Sequence, residues 1–528
     1  MATKDPSTLE VIDLGLPPSI RTSSDGTTGF TTDDEGPIIV GWDGPNDPEN
    51  PKNWSKRRKC INIGLMSLLT IISPLASSMF APGVPQLMKN FHAHSNELAT
   101  FVVSIYMFGY AFGLLIFASL SEIFGRLYLY KIGNVFFGLF CIGAALSTSI
   151  DMLMVFRFLM GVVGCIPTTV GIGSIVDIVS LEFRGRAVSL WAIGPLLGTV
   201  LGPTAGGYMI QHAGWRWVFW FLAILSGVFS ILMLGMRESY APVLLQRKAK
   251  HLRKTTGNTD FKCELNTGSI ESVKLAAVRP WKFLFATPIV ICIAIYVGVS
   301  NGILSLMIAT FSFVYSDQYN FDEGEAGLSF LPAGLGMMAG VLTFGHLSDF
   351  LVRRWKQKQE LGSTYKPEIK LTPWLIVPTG LALPVGLITY GWAAEKQLHW
   401  IVPMIGVFVF SMGTLGTTVR ETFALEIQKL TTLQNTLHNY LVDAYPKHAS
   451  TGSASTTVVR SLGGALVPLS GLSLYERLGY GWGNSLLGFL SLMLILIPLI
   501  LYYFGATFRG ESRSSAPDQQ QSQNGPKR

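Results

Sequence analysis

Residues 194 to 207 read Gly194-Pro195-Leu196-Leu197-Gly198-Thr199-Val200-Leu201-Gly202-Pro203-Thr204-Ala205-Gly206-Gly207. Glycines recur at 194, 198, 202 and 206, one every four residues, with prolines at 195 and 203. That spacing clears side chains from one face of a helix, so a neighbouring helix can approach backbone to backbone. In water each glycine would cost roughly 0.5–1 kcal/mol against alanine, and an interior proline about 3 kcal/mol. In lipid, water does not compete for the backbone, and neighbouring helices can satisfy the groups a proline frees. A single Gly-x-x-x-Gly step reads as tight packing. Four glycines in register with two prolines read as a membrane helix built to bend or slide against a partner.

The rest of the chain agrees. Of its 528 residues, 49% are hydrophobic and only 14% charged, and mean hydropathy is +0.39. A soluble protein carries about 25% charged residues. Runs of about 20 apolar residues, each long enough to cross a bilayer, define a polytopic all-α membrane protein. The five cysteines (60, 141, 165, 263 and 292) are scattered without metal-ligand or redox spacing and read as free thiols. No nucleophile–base set appears, and the eight histidines are dispersed, so neither an enzyme nor a cofactor or metal is expected. The net charge of +7 fits basic cytosolic loops rather than nucleic acid. No short apolar region with a cleavage site marks a removable signal peptide.

Twelve spans are expected at about 60–80, 98–119, 128–148, 152–176, 187–211, 215–236, 284–312, 326–349, 373–392, 400–418, 448–472 and 484–505. Both termini then lie in the cytosol. Of the forty Lys and Arg residues, only Lys89, Arg216 (at the outer edge of the span 215–236), Lys396 and Arg477 fall in or beside loops placed outside. The expected organisation is a disordered cytosolic segment 1–59, a six-helix bundle 60–236, a basic cytosolic linker 237–282, a second bundle 283–508 and a disordered tail 509–528. Within the first segment, residues 41–54 are rich in proline, Asn and Asp and read as turns.

The two halves repeat. Gly113, Phe117, Leu120, Ser121, Glu122 and Arg126 align with Gly340, Phe344, Leu347, Ser348, Asp349 and Arg353 at a constant offset of 227 residues. Internal repetition of a membrane half is how alternating-access carriers are built.

The glycine stretch resembles the antiporter signature in the fifth span of major facilitator transporters, in the twelve-span drug:proton antiporter branch. Residues 41–54 and the run Arg237-Glu238-Ser239-Tyr240-Ala241-Pro242 resemble fungal members of that branch. The resemblance covers about 41–510 and implies the major facilitator fold. It also implies export of lipophilic small molecules (drugs, toxins or an endogenous secondary metabolite) in exchange for protons, by a monomer in the plasma membrane or an internal one. A proton-coupled importer of a small nutrient is the alternative. The resemblance gives the antiporter motif to Gly194, Gly198, Gly202, Pro203, Gly206 and Gly207. It makes Glu122 and Arg126, with Asp349 and Arg353, a gate on the cytosolic side. Leu127 stands where the family has a second basic residue, which weakens that gate.

Arg157 lies within the fourth span, where an arginine costs on the order of 2.5–3.5 kcal/mol and needs a cavity, a partner or a route to the interface. The resemblance implicates it in proton coupling. No Asp or Glu lies deep inside a span, and Asp177 and Glu122 are the remaining carboxylate candidates. Asn62, Ser77, Tyr106, Asn301, Phe330 and Arg460 are candidates for an apolar, aromatic substrate cavity between the halves. One stretch departs from the family: residues 419–437 insert polar, helix-capable sequence before Asn439-Tyr440-Leu441-Val442-Asp443. Our hypothesis is a retained intron, with an amphipathic surface insertion as the alternative. Sequencing the mature transcript decides, because codons present in most messages would exclude the intron.

Overall fold

The computed structural model describes residues 38–93, 95–180, 183–257, 261–263, 278, 281–282, 284–340, 343, 373–415 and 449–508. Asp349, Arg353 and the stretch 419–437 lie outside them.

A short strand β1 (Ile38–Val40) leads to α1 (Lys56–Ser78). Then follow α2 (Val84–Asn90), α3 (Asn96–Phe124), α4 (Arg126–Ala145), α5 (Ile150–Gly164), α6 (Ile166–Ile178), α7 (Arg184–Ala213) and α8 (Arg216–Leu232). Helix α9 (Ala241–Thr256) and strand β2 (Phe261–Cys263) precede the second half. That half holds α10 (Pro288–Tyr319), α11 (Glu323–Leu328), α12 (Pro373–Glu395), α13 (Ile401–Leu415), α14 (Ala449–Leu466), α15 (Gly471–Leu494) and α16 (Leu496–Phe508). Among the described residues, 8 helices are long and apolar enough to cross a membrane.

Local chemistry sets the helix ends. Ser55, Ser95 and Ser149 cap α1, α3 and α5 by accepting from the amides of Arg58, Leu98 and Met152, each satisfying a donor the helix leaves open. Asp322 and Glu325 form a reciprocal capping box on α11. Pro167, near the start of α6, marks the break from α5 at Cys165. Inside α15, Gly479 (φ +74) interrupts the helix, so the chain turns between the spans expected at 448–472 and 484–505.

Packing repeats with the sequence. In the first half α1 lies on α7, α3 on α5 and α4 on α8. In the second, α10 lies on α14, Gly336 approaches the Phe408 backbone of α13, and α12 lies on α15. The same three pairings recur, as the 227-residue offset requires. Large apolar side chains such as Ile224, Ile231, Leu234, Phe285 and Met493 remain exposed. Such a surface suits lipid and not water.

One expectation, at one end of the bundle, changes. Residues 38–59, expected as part of a disordered segment, carry β1, a turn held by Asp47 and the start of α1. The linker carries α9 and β2, and β2 pairs in parallel with β1, Ile38 opposite Phe261. Val40, Ala249 and Phe261 form a small apolar core beneath that pair. We call this end of the bundle, where Lys56, Arg57, Arg58 and Lys59 begin α1, the basic face. The opposite end, where α7 finishes and α11 begins, is the far face.

Candidate functional site

The glycine ladder lies along α1. A Cβ at Gly194 would strike the Ser67 carbonyl oxygen and Thr70 Oγ1, one at Gly198 the Ile71 carbonyl, one at Gly202 Ser78 Oγ, and one at Gly206 the Met79 carbonyl. Pro195 cannot donate to the Trp191 carbonyl one turn back; Thr70 Oγ1 lies 3.4 Å from that carbonyl, while its hydroxyl donates to the Ser67 carbonyl at 2.7 Å. Both prolines lie inside a continuous helix. Gly207, one residue beyond the ladder, points elsewhere: it meets Glu323 and Gly327 of α11, in the other half. Thr204 Oγ1 donates to the Gly327 carbonyl at 3.2 Å. Nearby, Asn96 of α3 bonds Glu476 of α15, and Ser473 reaches Glu97 at 3.5 Å. These cross-half contacts all lie at the far face.

On the basic face the centre is Arg126. Its Nε donates to Asp177 Oδ2 at 3.3 Å, Nη1 donates to Ser121 Oγ, and the guanidinium sits 4.6 Å from the Tyr240 ring centroid. Glu122 and Arg126, four residues apart, do not pair with each other. Pairing at i, i+4 needs an unbroken helix, and Gly125 (φ +93) separates α3 from α4. Glu122 is exposed, and Asp177 takes its place.

The sequence reading missed Glu238, which is buried beside this pair. Its carboxylate accepts from the backbone amides of Arg126 (3.0 Å), Leu127 (3.1 Å), Ser239 (3.0 Å) and Tyr240 (3.0 Å). An anion on open amides at a helix N-terminus is favoured by both hydrogen bonds and the helix dipole. Glu238 thereby ties the start of α4 to the start of α9. Any Cβ on Gly125 would collide with the Glu238 carboxylate, which fixes glycine there for space as well as for φ. The available signal was Gly125 followed by a helix start with no nearby acceptor.

Arg157 is fully buried and does not reach the interface. Nη2 donates to the Val103 carbonyl at 3.2 Å, and the guanidinium lies 4.9 Å from the Phe80 ring and 6.0 Å from Phe219. Among the described residues Nε and Nη1 have no hydrogen-bond partner.

The cavity candidates divide. Tyr106 is fully buried inside the first half, its hydroxyl 3.1 Å from Ser73 Oγ and its ring against Gly164. Asn62 is also buried, donating to the Arg58 carbonyl at 2.9 Å. Neither lines a space between the halves. Ser77 is half-buried on α1. Phe330 packs on Phe311 with centroids 4.8 Å apart, beside a small hollow within the second half that Met307, Phe410 and Ser411 also line. Asn301 and Arg460 do come together, Asn301 Nδ2 donating to the Arg460 carbonyl at 3.1 Å.

Helix pairings that recur in both halves, a sequence repeat linking the halves and a charged network on one face fit a membrane carrier. The chain belongs to the Major Facilitator Superfamily, whose family model matches residues 66–432. It is a membrane-spanning transporter and not an enzyme. Over 476 residues it is 45% identical to the MFS-type transporter penM of Penicillium rubens, covering 90% of each chain. Over 480 residues it is 41% identical to the efflux pump radE of Floropilus chiversii, covering 90% of this chain and 86% of that one. A solved structure of the xylose transporter XylE from E. coli, partially occluded and inward open, aligns with TM-score 0.58 at 17% identity over 85% of this chain and 98% of that chain. A bacterial homologue of the human lysosomal transporter Spinster aligns with TM-score 0.60 at 12% identity, over 88% and 100%. These two likenesses concern the fold.

Proposed function

We propose that this transporter exports lipophilic small molecules by alternating access, in exchange for protons, as a twelve-span monomer of the plasma membrane. The basic face is then cytosolic, in keeping with the Lys and Arg bias of the loops. The gate comprises Arg126, Asp177 and Glu122, with Asp349 and Arg353 as its counterpart in the second half.

The observation that carries this reading is the asymmetry between the two faces. At the far face the halves touch through Gly207 and Gly327, with Thr204 bonded across. On the basic face Arg126 pairs with Asp177, inside its own half. A bundle whose halves join at the far face, while among the described residues the basic-face pair stays inside one half, fits one end state of a rocking carrier. The relative named an efflux pump supports the direction of transport.

The test is accumulation of a fluorescent lipophilic dye in cells expressing the full chain, with and without a protonophore. Export predicts lower accumulation that the protonophore restores. Raised accumulation that the protonophore abolishes would make the chain a proton-coupled importer instead.

A further inference from the structure

Two arginines lie deep in the described spans, and their surroundings differ. Arg157 is sealed inside the first half by Phe80 and Phe219. Arg460, on α14, is only half-buried. It lies within electrostatic reach of Tyr110 on α3, in the opposite half, and α3 and α14 pack against each other. Arg460 therefore stands at the seam where the halves meet.

Its neighbours are polar and neutral. Tyr110 shares a hydrogen bond with Thr168 at 2.5 Å. Asn301 holds the Arg460 backbone, and one turn further Gly464 faces Asn301 and Ser305. Tyr110, Thr168, Asn301 and Ser305 are all half-buried, so none of them is sealed in a closed core. Among the described residues no carboxylate lies within ion-pair distance of Arg460. The acids on these helices, Glu97, Glu122, Asp177, Asp317, Glu395 and Glu476, sit at helix ends or at the Gly479 break.

A guanidinium at membrane depth needs a counter-charge or water. Among the described residues the polar groups around it are hydroxyls and an amide, all neutral, which leave the charge in place. A planar oxygen anion would meet the fork of guanidinium donors two bonds at a time. We propose that the transported molecule is an organic anion, an apolar skeleton bearing a carboxylate or phenolate, and that Arg460 receives that group. This deepens the export reading and rests on it, but binding can be measured apart from transport.

The probes are 11-(dansylamino)undecanoic acid and its methyl ester, which share one skeleton and differ by the charge. Binding to the purified full chain in detergent is followed by dansyl fluorescence. The acid should bind at least tenfold more tightly than the ester. Arg460→Gln should remove that preference and Arg460→Lys retain part of it, with ester binding unchanged in both. Equal affinity for acid and ester in the unsubstituted chain would overturn the proposal, as would a preference that survives Arg460→Gln. If Arg460→Gln does not fold, the acid–ester comparison and the lysine variant still decide. Transport of the same probes in energised vesicles forms the second arm. Acid-selective binding without export would sink the export reading and leave the anion site standing.

Discussion

Gly207 and Gly327 face each other across the two halves so closely that a Cβ on Gly327 would lie 3.1 Å from the Gly207 Cα and 2.6 Å from the Pro203 carbonyl oxygen. Contacts this tight exist only where both partners lack side chains. A larger residue must push the halves apart at the far face while leaving each half's own packing alone. Gly327→Leu should therefore lower dye export about tenfold, a loss of about 1.4 kcal/mol in the closed state's favour by the usual conversion. It should also speed maleimide labelling of an Asn96→Cys reporter, read in a Cys60→Ser background. Unchanged labelling would mean that this contact does not hold the far face shut.

How much of this was legible in the sequence depends on how local each feature is. The ladder could be read because residues four apart share a helix face whatever the partner. Its partner, α1, could not, since nothing local selects one helix among many. Gly207 shows the limit well: one residue beyond Gly206, it turns about 100° around the helix and meets the other half. Which acid faces Arg126 was not legible either, because Gly125, with its positive φ, ends α3 and begins α4 between Glu122 and Arg126. Glu238 was invisible because its task depends on a linker returning to a helix start 112 residues earlier. Tyr106 read as a cavity residue from type and depth alone, and only its contact with Ser73 and Gly164 puts it in the core.

The basic-face network should behave as one unit. Arg126 and Asp177 are partly buried, with side-chain exposures of 13% and 20%, so their pairing is less screened than a surface ion pair. Combining Arg126→Ala and Asp177→Asn in a double-mutant cycle should give a coupling of about 1 kcal/mol in unfolding measurements. Glu238→Ala leaves four amides without their acceptor and should cost more than Asp177→Asn, on the order of 2–3 kcal/mol. Independent, additive effects would place Asp177 and Arg126 in separate interactions.

Asp47 gives the basic face a pH limit. Burial acts to raise its carboxyl pKa, but the amides of Asp43 and Glu49 and the Lys248 ammonium outweigh this and hold it below the ordinary aspartate value. The bonds are short: 2.9 Å from Asp43 N and 2.8 Å from Glu49 N. A depressed pKa means the turn is stabilised above the unfolded-state value and loses that support as pH falls through the folded one. Amide exchange over residues 41–54, corrected for intrinsic rates, should show constant protection from pH 7 to about 5 and a loss below about pH 4. In Asp47→Asn, protection should already be reduced at pH 7. A midpoint near pH 6 would point to a different titrating group.

Arg157 invites the opposite expectation from Arg126. Two of its guanidinium nitrogens lack hydrogen-bond partners among the described residues, and rings of Phe80 and Phe219 flank it. Removing a charge from a paired site strands its partner, but here no carboxylate is left behind. Replacing such a group with an apolar residue of similar length is often neutral or stabilising by about 1–4 kcal/mol. Arg157→Met should thus hold or raise the thermal midpoint, where Arg126→Met lowers it. Retention of a charge that costs stability points to a task in transport, and under the proposed proton exchange that task would be coupling. The same Arg157→Met protein should then export dye with a weakened response to the protonophore. A fall in thermal midpoint would mean that the arginine supports the fold, and an unaltered protonophore response would remove it from coupling.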